Sequence, residues 1–167
     1  MAELTDLPAT SRRTFLTLLA FVTGGVITSR LSAQPKRSAP PAAIRDIVVY
    51  KDANCGCCTE WVKHLRASGF TVKVNDTPDM VTVKRSFGVP VPLESCHTGR
   101  IGRYTIEGHV PADLIARLLT EQPPTARGLA VPGMPIGSPG MEQGSRKDPY
   151  DVILFDAAGK TRVYASR

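Results

Sequence analysis

Hydrophobic and polar positions change their period along the chain, and the changes predict alternating strands and helices. The run from Ile44 to Lys51 is rich in β-branched residues and predicts a strand. Apolar residues then recur at helical spacing across 58–68, and Gly69 follows, which predicts a helix that ends at this glycine. The chain therefore passes from a strand, through a short turn, into a helix.

The same patterns predict the elements of the remaining chain: a strand at 70–74, a capped helix from Thr77 to Phe87, a strand at 104–110, a helix opened by Pro111 and a C-terminal β-hairpin at 150–155 and 161–165. Residues 122–149 contain six prolines and five glycines, which predicts a long loop without regular structure. Together these elements predict an α/β fold, a thioredoxin-like mixed sheet with flanking helices, the long Pro/Gly/Met loop and the closing hairpin.

The N-terminus has the features of an export signal. Arg12 and Arg13 precede an apolar stretch at 15–27, and small residues follow. A helix of that stretch reaches roughly 20 Å, too short for the ~30 Å hydrocarbon core of a membrane, so we expect cleavage and no stable anchor. We interpret 1–33 as a twin-arginine-type signal peptide, although the arginines also suit general secretion. A Pro-rich tether follows at 34–43, and the folded domain spans 44–167.

Composition bounds the function without deciding it. The 167 residues are 42% apolar and 22% charged, which is typical of one globular domain behind the leader. The net charge is +6, but the basic residues are scattered and no basic run is interleaved with aromatic residues. Nucleic acid is therefore not an expected partner.

The cysteines are placed where they can do chemistry. Cys55, Cys57 and Cys58 occupy the turn that opens the first predicted helix, where the helix dipole and unpaired amides favour thiolate over thiol. In a thioredoxin-like topology the segment that holds Cys96 passes in front of this helix, so four thiolates would converge. Such a cluster favours Cu(I), zinc or an iron–sulfur centre, and the spacing lacks the two separated pairs of a structural zinc site.

Other soft side chains are weaker candidates. Met134 and Met141 lie in the Pro/Gly-rich loop, where their thioether sulfurs are candidate ligands for Cu(I). The alternative is that these side chains only pack the loop against the domain. His97 adjoins Cys96 and is a further ligand candidate. The remaining candidates are expected in other roles: His64 on a solvated helix face, His109 in a backbone hydrogen bond at a strand end, and Met80 in the core.

Several motifs in order carry a family resemblance: Cys55–Cys58 with Trp61, Gly88–Pro90, Ser95–Thr98, Ile106–Pro111, and Gly128–Pro135 with Gly140–Met141. This set resembles the DUF411 family of periplasmic metal-binding proteins, which has copper-resistance members. The resemblance implies that the protein binds copper as Cu(I), in a cluster of more than one ion. It further implies redox activity of the bound copper. It also implies other periplasmic copper-handling proteins as partners. The copper ligands that it implies are Cys55, Cys57, Cys58 and Cys96, with Met134, Met141 and His97.

Two other functions fit part of the pattern. A C-x-x-C at a helix start also serves a thiol-disulfide oxidoreductase, in which one cysteine attacks a substrate disulfide and the other resolves it. Cys57 argues against this role, because it would scramble the exchange. A structural domain with two disulfides is allowed outside the cytoplasm, but the adjacent Cys57 and Cys58 make that pairing awkward.

Overall fold

The structure, a computed structural model, describes residues 45–167, so the predicted signal peptide at 1–33 and the tether at 34–43 lie outside the described residues. Within 45–167 there are seven strands: β1 (Asp46–Lys51), β2 (Thr71–Asp76), β3 (Thr98–Ile101), β4 (Tyr104–Glu107), β5 (Ala126–Ala130), β6 (Asp151–Asp156) and β7 (Thr161–Ser166). The α-helices of this range are α1 (Gly56–Ala67), α2 (Met80–Ser86) and α3 (Ala112–Glu121), and a 3₁₀ turn spans Val91–Leu93.

The strands form one mixed sheet in the order β2-β1-β3-β4-β5-β6-β7. The β1–β2 and β4–β5 pairs are parallel, and the other pairs are antiparallel. This confirms the predicted mixed α/β sheet with helices and a C-terminal hairpin, β6–β7. Across 45–167 we find no helix with the length and apolar character that crossing a membrane requires.

The sequence prediction is wrong for two strands. The segment 122–149 was expected to lack regular structure, yet β5 lies in it, between β4 and β6. Gly128 allows this close packing, because a Cβ there would collide with the Thr105 carbonyl and lie 2.6 Å from the Phe155 ring. The first strand of the β3–β4 hairpin was also missed, since its Gly99 and Arg100 break the apolar pattern that marks a strand.

The apolar residues of α1 and α3 belong to one core with those of the central strands. Trp61 and Leu65 of α1 and Ile115 and Leu118 of α3 are fully buried. The Trp61 indole also donates a hydrogen bond of 2.9 Å to the Val110 carbonyl oxygen. These contacts fix the N-terminal end of α1 beside the segments that flank the β3–β4 hairpin.

Helix α2 begins later than its predicted cap. The Asp79 carboxylate accepts from the Thr82 amide at 3.0 Å, so Asp79 is the N-cap, and Thr77 accepts from the Asp79 amide instead. Met80 is the first helical residue and is only half-buried, so its expected place in the core is wrong. The buried residue of this helix is Lys84.

His64 is not the solvated residue that its sequence position predicts. It is half-buried, and its Nε2 accepts a hydrogen bond of 3.1 Å from the Ala112 amide. Helix α3 receives no side-chain cap from its N-cap residue, Pro111, so the His64 ring supplies the acceptor for the first amide of the helix, that of Ala112. His64 therefore joins α1 to the start of α3 and does so only while Nε2 carries no proton.

Acidification is expected to weaken the fold through His64. Burial lowers the pKa of His64, against the opposing charges of Glu142 and Asp113. The unfolded chain therefore takes up this proton more readily, so the stabilisation is complete above pH ~6.5 and is lost as the pH falls through the lowered pKa. Urea denaturation at pH ~7.5 and ~5.5 should show a smaller loss of unfolding free energy in His64→Gln, whose amide oxygen still accepts from Ala112. An equal loss in both proteins would contradict this role.

Candidate metal centre

The cysteine turn is built by the end of β1 and the start of α1. The Asp52 carboxylate accepts from the Asn54 amide at 2.8 Å, and the Cys55 amide donates to the Asp52 carbonyl at 3.1 Å. This tight turn makes Cys55 the N-cap of α1 and puts Cys57 and Cys58 in its first turn. Cys58 is fully buried, whereas the other two are half-buried.

The four cysteine sulfurs all lie within 4.8 Å of one another. Cys96 lies just before β3, and the structure brings it to the turn as the topology argument predicts. Cys55 and Cys58 form a disulfide, while Cys57 and Cys96 are free thiols. The Cys57 sulfur lies 3.6 Å from the Cys55 sulfur, so the disulfide is in contact with a free thiol.

Two histidines contact the Cys96 sulfur. His97 Nδ1 lies 3.2 Å from it and His109 Nε2 lies 3.1 Å from it. His109 also makes the expected backbone contact, with Nδ1 at 2.8 Å from the Pro139 carbonyl oxygen. The sequence does not predict its contact with the sulfur, because His109 lies thirteen positions after Cys96 and the unpredicted β3–β4 hairpin brings the two together.

Burial disfavours the charged forms of Cys96 and of the two histidines that contact it, since it raises the pKa of the thiol and lowers the pKa of both rings. It raises the pKa of the Cys96 thiol to about 12, with a further contribution from the charge of Cys57. It also lowers the pKa of His97 well below the ordinary value, and the charge of His109 acts in the same direction. His97 is fully buried and stacks on Trp61 with ring centroids 4.3 Å apart. A bound cation would supply the positive charge that a thiolate needs here.

The Pro/Gly/Met loop is held against this centre at several points. The Ser95 hydroxyl donates to the Gly133 carbonyl at 2.7 Å, beside Met134, and His109 contacts the Pro139 carbonyl. Met134 is 53% exposed, whereas Met141 is half-buried. The loop is thus tied at two points to residues next to Cys96 or in contact with it, and its two methionines differ in exposure.

Comparison with known proteins places this arrangement in a family. The family model described as "Protein of unknown function, DUF411" matches residues 93–141, and no curated protein matches the chain. Two solved structures titled copper resistance protein CopG, Form 2 and Form 1, are each 48% identical to the chain, with a TM-score of 0.70. They cover 73% of this chain, and the match spans 97% and 96% of theirs. This chain belongs to the CopG family.

The family assignment confirms the predicted resemblance, and the matched structures extend beyond the region of the family model. Residues 93–141 include Cys96, His97, His109 and the loop methionines but not the turn with the other three cysteines. At 73% of the chain, the CopG match is longer than that region and corresponds in size to the described domain. The thioredoxin-like character of the fold stays a prediction.

A buried ion pair supports the Cys96 segment of this CopG-family chain. The Lys84 ammonium lies 2.5 Å from the Glu107 carboxylate, and both side chains are almost completely buried. Glu107 also accepts from the Ser95 amide at 2.6 Å and from the Thr98 hydroxyl at 2.6 Å. Burial raises the pKa of Glu107, and Lys84 opposes that shift. Sequence reasoning missed this pair, whose only signal is an acidic residue in a strand of otherwise uncharged residues.

Gly140 lets the loop pack on the first turn of α1. A Cβ at this residue would lie 2.7 Å from both the Cys57 carbonyl oxygen and the Trp61 amide nitrogen, and its φ is +85°. Gly144 also has a positive φ, +59°, but a Cβ there meets nothing within 4 Å. Gly140→Ala should therefore lower the unfolding free energy by about 1–3 kcal/mol more than Gly144→Ala. Urea denaturation of both variants checks this, and equal losses would show that the loop does not depend on this contact.

Proposed function

We propose that this chain binds Cu(I) through Cys55, Cys57, Cys58 and Cys96 and contributes to copper resistance. The observation that carries the proposal is the convergence of four cysteine sulfurs within 4.8 Å, from two separate segments. Thiolates are the donors that Cu(I) prefers, and sulfurs this close can each bridge two ions, so a multinuclear cluster fits the site. The matched structures are copper resistance proteins by name, which supports copper as the metal.

The disulfide sets a condition on this function. Cys55 and Cys58 are joined, so they provide thiolates only after two electrons and two protons from a dithiol reductant have cleaved their bond. The reduced chain then has four thiols in one place, and each loses its proton to solvent when copper binds. Copper uptake should therefore depend on the redox state of this pair, with redox activity of copper itself as a further part of the proposal.

The proposed location is the periplasm. The support is the twin-arginine-type signal predicted at 1–33 and the copper-resistance name of the matched structures. In that compartment a disulfide is stable, and a protein that holds Cu(I) limits the exchange of a toxic ion with solvent. Other periplasmic copper-handling proteins are the proposed donors or acceptors of the metal.

One observation favours a second function. The Cys55–Cys58 disulfide at the start of α1 is the arrangement that a thiol-disulfide oxidoreductase uses. The two functions separate in one preparation: the chain is exported to the periplasm, purified without oxygen, and assayed for metal content by mass spectrometry and for reduction of a disulfide substrate. Copper as the dominant metal supports the copper function. Protein that turns over the disulfide substrate, is purified without metal and takes up no Cu(I) after its disulfide is reduced would replace the copper function with the oxidoreductase.

The two loop methionines are proposed ligands of unequal importance. Met141 is half-buried and follows Gly140, which packs on the cysteine turn, whereas Met134 is mostly exposed. We therefore expect Met141→Leu to weaken Cu(I) binding about tenfold and Met134→Leu to weaken it less, as measured by competition with a chromogenic Cu(I) chelator. Leucine keeps the apolar volume of each side chain. Identical affinities for both variants and the natural chain would remove the methionines from the site.

A further inference from the structure

The two faces of the sheet are covered to different extents. Helices α1 and α3 pack on one face, in a core that includes Ile47 and Ile101 of the central strands. Arg100 immediately precedes Ile101 in β3, and successive side chains of a strand point to opposite faces, so Arg100 lies on the second face. That face carries α2, whose Lys84 reaches Glu107, and it leaves Arg100 only half-buried. The second face therefore has a charged side chain within reach of solvent.

Arg127 lies close to Arg100 on this second face. The Arg100 guanidinium carbon lies 5.8 Å from the centroid of the Phe87 ring, and its Nη1 donates to the Thr105 hydroxyl at 3.2 Å. A Cβ at Gly88, the residue after Phe87, would lie 3.7 Å from Arg127 Nε. Burial lowers the pKa of Arg100, and the positive charge of Arg127 lowers it further. Two guanidinium groups therefore adjoin the same short segment and repel each other.

Neither arginine has an acidic partner among residues 45–167. The ion pairs of this range involve other basic residues: Lys51, Lys63, Lys84, Arg117, Arg146 and Arg167. Asp46 points to the second face from β1, because its neighbour Ile47 belongs to the core, yet it pairs with neither arginine. A guanidinium keeps its charge at physiological pH and offers a planar pair of donors that matches a carboxylate. The two arginines are thus available to carboxylates from outside the domain.

Apolar side chains extend the second face towards the edge strand β7. Successive register pairs link Glu107 of β4 to Val163 of β7, so these two residues share this face, and Val163 is 52% exposed. Strands lie ~4.8 Å apart, so β3 and β7, four strand spacings apart, are separated by roughly 19 Å. A small anion is too short to span that distance, whereas about six residues of extended chain do so. Arginines beside exposed apolar surface are typical of protein interfaces.

We propose that this second face, defined by Arg100, Arg127, Phe87 and Val163, is a docking surface for an acidic segment of a partner protein. Carboxylates of the segment accept hydrogen bonds from the two guanidinium groups and supply the negative charge that relieves their repulsion. Apolar side chains of the segment cover Val163. The surface needs neither a metal nor a reduced cysteine pair, so it goes beyond the proposed copper binding.

The probe is a fluorescent peptide of alternating glutamate and valine residues, titrated with the chain and followed by anisotropy at ~150 mM salt. The variant with Arg100→Gln and Arg127→Gln should bind the peptide at least ~10-fold more weakly than the natural chain. The matched control, Lys63→Gln with Arg66→Gln, removes the same charge from exposed residues of α1 and should bind as the natural chain does. Equal losses in both variants would show attraction by net charge alone and would overturn the proposal.

A measurement on the natural chain does not depend on how a variant folds. Phenylglyoxal modifies accessible arginines, and peptide mass spectrometry locates the modified residues. The glutamate–valine peptide should slow the modification of Arg100 and Arg127 several-fold and leave that of Arg66 unchanged. Inorganic phosphate should give no such protection, since it does not span the face. Equal protection by phosphate, or no protection by the peptide, would overturn the proposal.

Discussion

Replacing Cys96 by serine is expected to lower the number of Cu(I) ions bound by the reduced chain and to weaken the remaining binding about tenfold or more. Cys96 is the one cysteine that comes from outside the turn at α1, so it is the sulfur that a separate segment adds to the cluster. Serine has nearly the same shape but gives a hard oxygen donor, which suits Cu(I) poorly. The effect is therefore one of donor chemistry more than of packing.

Competition with a chromogenic Cu(I) chelator measures both the stoichiometry and the affinity of this variant. Glu60→Gln is the matched control, because Glu60 lies exposed on α1, the helix that begins at the cysteine turn, and only forms a surface ion pair with Lys63. The control should bind copper as the natural chain does. If Cys96→Ser also keeps the natural stoichiometry and affinity, while circular dichroism shows an intact fold, Cys96 is not a ligand.

Replacing Lys84 by methionine is expected to lower the unfolding free energy by about 3–5 kcal/mol, because it leaves the Glu107 carboxylate buried without its cation. Both side chains are almost completely buried, and Glu107 holds the Ser95 amide next to Cys96. Since whole domains are stable by only ~5–15 kcal/mol, this loss is a large fraction of the total. Urea denaturation of the metal-free chain measures it.

Two further variants isolate the buried charge. Lys63→Met removes a lysine from an exposed ion pair, in which Lys63 Nζ lies 2.7 Å from Glu60 Oε1. This change should lower the unfolding free energy by less than ~1 kcal/mol. Lys84→Met combined with Glu107→Gln should recover part of the stability, because the neutral amide oxygen still accepts from the Ser95 amide. A double variant as unstable as Lys84→Met alone would show that lost packing, not an unpaired charge, causes the effect.

The sequence predicts an element of the fold correctly where its apolar residues follow a single helical or strand spacing. The strand before the cysteines, the helix after them and the β6–β7 hairpin are all present, because each has clear apolar spacing and a turn at its end. Strand β5 was not predicted, since its neighbours in the chain are rich in proline and glycine and its pairing with β4 and β6 is a tertiary contact. Periodicity carries no information on such a contact.

The candidate metal centre, like the fold, could be predicted from the sequence only in part. Three cysteines in one turn are visible in the sequence, and a thioredoxin-like topology correctly predicts that Cys96 lies beside them. The contact of His109 with Cys96 depends on the β3–β4 hairpin, and the Cys55–Cys58 disulfide depends on which sulfurs face each other. The Lys84–Glu107 pair was hidden because charged residues in helices and strands are usually solvated.

X-ray absorption at the copper edge of the reduced, Cu(I)-loaded chain tests the central claim most directly. The spectrum reports the oxidation state of copper and the atoms bound to it. The four convergent sulfurs predict Cu(I) with sulfur as the dominant neighbour, and a copper–copper contribution where thiolates bridge more than one ion. A spectrum dominated by nitrogen and oxygen neighbours would contradict binding by the cysteine cluster.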